Sequence, residues 1–189
     1  METNELIQTA RALWLSMCKT PDNHNTLSPA APLATPFHSV RLPAIPIGDY
    51  MDRFHRHSRC SPECLVIAAI YVRHFLAADP QMRLDMYSVH RLFLTAAVLA
   101  IKWRDDMFFS NKYYAQICGI HVAELNSLEQ MMWNGLQGAL WVEPEEYWNV
   151  LHQAAGLLAQ RHHLTLSQHH QQNDMSISPI ESPMSEWSE

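Results

Sequence analysis

The stretch VHRLFLTAAVLAIKWRDD, residues 89–106, decides the fold. Its centre, from Leu92 to Ile101, is apolar on nearly every side. A buried strand is the rival reading, but the length, the three alanines and the absence of turn residues favour a helix. Asp85 stands ready to cap it, so the helix should run from about Met86 to Arg104. A helix with no polar face has to be enclosed by other helices. The segment is therefore the central member of a bundle, and the fold class is all-α.

Working outward, helical signals flank it on both sides. Upstream, Ile47, Tyr50, Met51 and Phe54 form one apolar stripe. Ser61-Pro62-Glu63 then reads as a start signal, with Ser61 as N-cap, proline at the first helical position and an acid in the first turn. That helix should run to about Ala78, before Asp79-Pro80. Downstream, Asn111 to Cys118 is a short helix closed by Gly119, and Val122 to Gln137 carries the stripe Leu125, Leu128, Met132 and Leu136. Pro144, with Glu145 and Glu146 beside the positive helix end, opens a further helix to about His163. At the other end, Asn4 to about Lys19 is an amphipathic helix, followed by TPDNHNTLSPAAPLATP, a linker with four prolines. The last residues, SQHHQQNDMSISPIESPMSEWSE, are polar and read as a disordered tail. The expected organisation is residues 1–36 as N-terminal helix and linker, 37–142 as the core bundle, 143–163 as a C-terminal helix and 164–189 as tail.

A chain of 189 residues with 48% hydrophobic residues fits one domain with extra segments. Its net charge of −6 offers no basic face, which argues against nucleic acid as a partner. Four cysteines are too few for a disulfide scaffold, no signal peptide opens the chain, and the longest apolar run is too short to cross a bilayer. A nuclear or cytoplasmic protein without membrane partners is the expectation.

Catalytic motifs are missing: there is no G-x-G-x-x-G, P-loop, G-x-S-x-G or H-E-x-x-H, so an enzyme is not expected. The best metal candidate is the set His55, His57, Cys60 and Cys64, four nitrogen and sulfur ligands of the kind zinc favours. Its C-x3-C spacing is loose and no second pair follows, so polar surface and packing is the reading adopted, with no metal and no cofactor. His162-His163 and His169-His170 read as solvated histidines. Lys102 follows the most apolar run, and Glu129 interrupts an apolar helix face. Trp103 adjoins the lysine, and Trp133 lies one turn on from the glutamate. These four are either a partly buried ion pair with packing aromatics or the charged and aromatic make-up of a binding hot spot.

Five successive segments carry a family resemblance: FHSVRLPAIPIGDYMDRF, SPECLVIAAIYVRHF, VHRLFLTAAVLAIKWRDD, NKYYAQICGI and ELNSLEQMM. Over about Phe37 to Val150 their order resembles the cyclins, most closely the small phosphate-pathway type of fungi and its relatives in plants and protists. The resemblance implies a single cyclin box, five helices around a buried third, with flanking N- and C-terminal helices. It implies a regulatory subunit that activates a cyclin-dependent protein kinase by binding beside the kinase's mobile C-helix, in cell-cycle or nutrient control. The lysine and glutamate of that family's kinase interface match Lys102 and Glu129, with Trp103 and Trp133 alongside. Their implied role is to hydrogen-bond backbone near the start of the kinase helix.

Some residues depart from the family pattern. Where the family usually has an aspartate in its second helix, this chain has Arg73, which puts in doubt an internal ion pair with Arg53. Asp52 and Arg56 occupy the turn that carries an apolar substrate groove in mitotic cyclins, so that groove is not expected here. Ser/Thr-Pro pairs at Thr20, Ser28, Thr35, Ser178 and Ser182 fall in segments expected to be flexible and offer sites for proline-directed phosphorylation. The competing functional readings are a non-activating helical adaptor of the same fold and a zinc-bearing regulator using His55, His57, Cys60 and Cys64.

Overall fold

The computed structural model describes residues 2–18, 35–80 and 82–175, those from 161 onward by their backbone alone. Among them are seven helices and no strand: α1 Thr3–Met17, α2 Ile47–Ser58, α3 Glu63–Ala78, α4 Val89–Arg104, α5 Asn111–Cys118, α6 Val122–Gly135 and α7 Pro144–Met175. None is long and apolar enough to cross a membrane.

The α4 helix lies where its all-round apolar sequence requires. Every residue from Leu92 to Ile101 is buried, and α4 packs on α2, α3, α5 and α6. Phe93 is the hub of an aromatic cluster, with its ring edge-on to Trp14 at 5.1 Å and to Phe54 at 5.4 Å. The α1 helix packs on α2, α3 and α7. Its Trp14 is fully buried, and the indole N–H donates to the Leu65 carbonyl of α3 at 3.0 Å. Arg11 ties the same helix to α2, reaching Asp52 at 2.8 Å and Asp49 at 3.6 Å.

Helix ends follow local chemistry, with three departures from the sequence reading. Ser61 does not cap α3; its N–H instead donates to the Asp105 carboxylate at 2.9 Å, a group just past the end of α4. Asp85 does cap, but a turn earlier than the regular helix: its carboxylate accepts from the N–H of Tyr87 and Ser88, while Ser88 Oγ accepts from Asp85 N–H at 2.9 Å. This reciprocal pair is a capping box, and regular α4 begins only at Val89. Finally, α7 continues to Met175, past its expected end at His163 and into the polar segment. No proline or glycine follows Gly156 until Pro179, and residues such as Leu and Gln extend an already nucleated helix at little cost. Gly119 behaves as expected, closing α5 with φ of 72°, where a side chain would be strained.

Candidate functional site

Lys102 and Glu129 come together on the surface formed by α4 and α6. Leu125, Leu128 and Met132 are buried on α6, and Glu129 sits at the edge of their stripe. That position places its carboxylate over the last turn of α4, where Lys102 Nζ donates to Oε1 at 2.5 Å. The second oxygen is also engaged: Asn111 Nδ2, at the first position of α5, donates to Oε2 at 2.7 Å and to Asn126 Oδ1 at 2.8 Å. Three helices thus fix one carboxylate. The side chains of Lys102 and Glu129 remain 29% and 17% exposed.

The pair has capacity left over. An ammonium group has three donors and a carboxylate about four acceptor sites, so each partner can bond an incoming backbone group without giving up the other. Their mutual compensation lowers the penalty of covering them. The pair lines a groove of about 340 Å³ together with Leu99, Leu140, Trp103 and Trp133. Trp103 is 53% exposed and Trp133 44% exposed. Two local features seat these walls. Tyr71 Oη donates to the Leu140 carbonyl at 2.7 Å, holding the connector after α6 against α3. Gly138, with φ of 71°, leaves room for the Trp133 ring, which a Cβ there would approach to 3.2 Å. All four residues singled out in the sequence therefore meet at one groove. Asn111, Leu99 and Leu140 were not singled out, and only Asn111, a polar residue at a helix start, gave any local signal.

The His/Cys set does not assemble. Among the described residues no group of three or more His, Cys, Asp or Glu side chains could hold a metal ion. Cys60 Sγ lies 3.6 Å from His55 Nδ1, but Cys64 is fully buried and His57 is exposed. Burial pushes the Cys60 thiol up to about 11 and the Cys64 thiol further.

Arg53 and Arg73 are both exposed, and Asp52 is held by Arg11 of α1. Thr35 is not in a loose segment: its hydroxyl meets His38 Nδ1 at 2.8 Å, and its carbonyl accepts from His38 N–H in a turn. Thr20, Ser28, Ser178 and Ser182 lie outside the described residues.

Known proteins match part of the chain. The chain is 36% identical over 111 residues to Cyclin-U4-1 of Arabidopsis thaliana, covering 59% of this chain and 55% of that protein. It is 39% identical over 111 residues to Cyclin-P4-1 of Oryza sativa subsp. japonica, covering 59% and 52%. With Cyclin-U3-1 of Arabidopsis thaliana it shares 42% over 113 residues, covering 60% and 51%. The chain thus spans about half the length of the curated relatives it matches. The family model described as Cyclin matches residues 5–135, from α1 to the end of α6. With α2, α3, α5 and α6 packed around α4 inside that matched region, this chain belongs to the cyclin family.

Proposed function

We propose that the chain is a regulatory subunit of a cyclin-dependent protein kinase and activates it, in cell-cycle or nutrient control, within the nucleus or cytoplasm. The observation that carries this reading is the Lys102–Glu129 pair, bonded at 2.5 Å and set in a groove walled by half-exposed Trp103 and Trp133. A kinase C-helix lying over the groove offers backbone groups to the two charges and apolar side chains to the tryptophans. Covering the pair removes water around it and strengthens each polar contact. The cyclin contributes no catalytic group. It binds the kinase conformer whose C-helix is packed inward, with its Lys–Glu pair in place for ATP, and so shifts the population toward that conformer.

The test is co-purification with cyclin-dependent kinases, with activity assayed on each complex. Glu129→Ala leaves Lys102 and Asn111 without their shared partner and is expected to weaken kinase binding by about 30-fold or more, the scale of a hot-spot residue. Kinase activity should fall in step, and Lys102→Ala should behave likewise. If the wild-type chain binds no such kinase, the reading fails. If it binds and the kinase stays inactive, the chain is an adaptor of this fold.

A further inference from the structure

A second, larger groove of about 590 Å³ opens beside the first. Its lining includes Trp103, Leu140, Trp141, Tyr147, Trp148 and Ile67, with Glu63 and Arg104 supplying charge. Trp141 is 66% exposed and Trp148 53% exposed. Single exposed apolar residues are ordinary, but a contiguous set marks an interface. Trp133, Trp103, Trp141 and Trp148 line two grooves that share Trp103 and Leu140. The outer rings also have local holds. The Trp141 indole N–H donates to Glu143 at 3.0 Å. The Trp148 ring stands edge-on to Tyr147 at 5.5 Å and leans over His152 at 6.3 Å. Rings held this way lose little freedom when a partner covers them.

The shared wall identifies the occupant. A stable interface draws on about 20–30 residues a side, whereas eight residues line the first groove. A partner seated on Lys102 and Glu129 already touches Trp103 and Leu140, so the next surface it meets is the second groove. We propose that the second groove continues the kinase footprint: a segment of the kinase flanking its C-helix seats an apolar or aromatic side chain against Trp141 and Trp148. This rests on the kinase-binding reading above.

The experiment is calorimetric titration of a purified cyclin-dependent kinase that binds the wild-type chain, using wild type, Trp148→Ala, Trp141→Ala and Glu129→Ala. Circular dichroism checks each fold, and sedimentation velocity gives the state of the chain alone. Both tryptophans are largely in solvent, so truncation leaves the core intact. The expected result is a Kd about tenfold or more weaker for each tryptophan variant. If Glu129→Ala weakens binding while both tryptophan variants keep the wild-type Kd, the extended footprint is wrong and the kinase reading survives. If the chain alone is a dimer that Trp148→Ala dissolves, the groove is a self-association face and the proposal is overturned. If no cyclin-dependent kinase binds the wild type, both readings fall.

Discussion

The body of α4 and its last turn belong to one helix but to opposite environments. From Leu92 to Ile101 the helix is sealed on all sides, whereas Lys102 is partly open and Trp103 and Arg104 face solvent. The change takes place within one turn, where Lys102 and Trp103 line the groove between α4 and α6. The difference teaches that stability and recognition are divided along the helix by position. The body holds the bundle together, and the last turn is carried by it at a fixed place. Substitutions in the two parts should therefore move different observables.

Phe93→Ala should have the largest effect. It removes a fully buried ring at the centre of the aromatic cluster and is expected to cost about 3–5 kcal/mol in urea denaturation. A loss below about 1 kcal/mol would break the comparison, since the interior would then not be close-packed. A smaller effect, dependent on pH, belongs to His90 near the start of α4. Its Nε2 meets the Ile45 carbonyl at 2.8 Å, while Nδ1 is buried with no hydrogen-bond partner among the described residues. Burial holds this imidazole below the ordinary histidine value, with the Ile45 carbonyl opposing in part, and burial lowers His55 in the same way. As pH falls below about 6.5 the unfolded chain takes up protons first, so stability present at higher pH drains away down through the folded-state value. Urea midpoints should therefore drop between about pH 7.5 and about pH 5.5. His90→Gln, whose amide can still donate to Ile45, should flatten part of that drop, and an unchanged slope would remove His90 from the account. The smallest change in stability is expected at the last turn. Lys102→Met keeps the stem over the groove and should cost about 1 kcal/mol or less while kinase binding falls. A large loss of stability there would mean that the last turn belongs with the body.

The bundle was legible because its signals are local. An apolar run with no polar face, Gly119 after a short stripe, and Pro144 ahead of two acids each act within a few residues of themselves. The pairing of Lys102 with Glu129 was reachable as two charges breaking apolar faces, but its third member was not. Asn111 reaches Glu129 only because α5 and α6 pack together. At the start of α3 the Cys64 N–H goes to the Ser61 carbonyl at 3.0 Å and not to its hydroxyl, while Ser61's own N–H goes to Asp105, 44 positions away. Trp141 and Trp148 passed unnoticed since periodicity shows which face a residue shares but not whether another helix covers it. The length of α7 was missed because a polar composition says that a segment buries little, not that its backbone leaves the helix.

The packing of α1 on α7 carries a consequence for synthesis. These helices contact each other although one precedes the box and the other follows it. A ribosome adds about 5–20 residues per second, so the interval from Met17 to Pro144 leaves α1 without its α7 neighbour for on the order of ten seconds. Until then α1 depends on α3 and α2 for cover. The seam between α1 and α7 therefore closes late, and a nascent chain is open to chaperones there until α7 arrives.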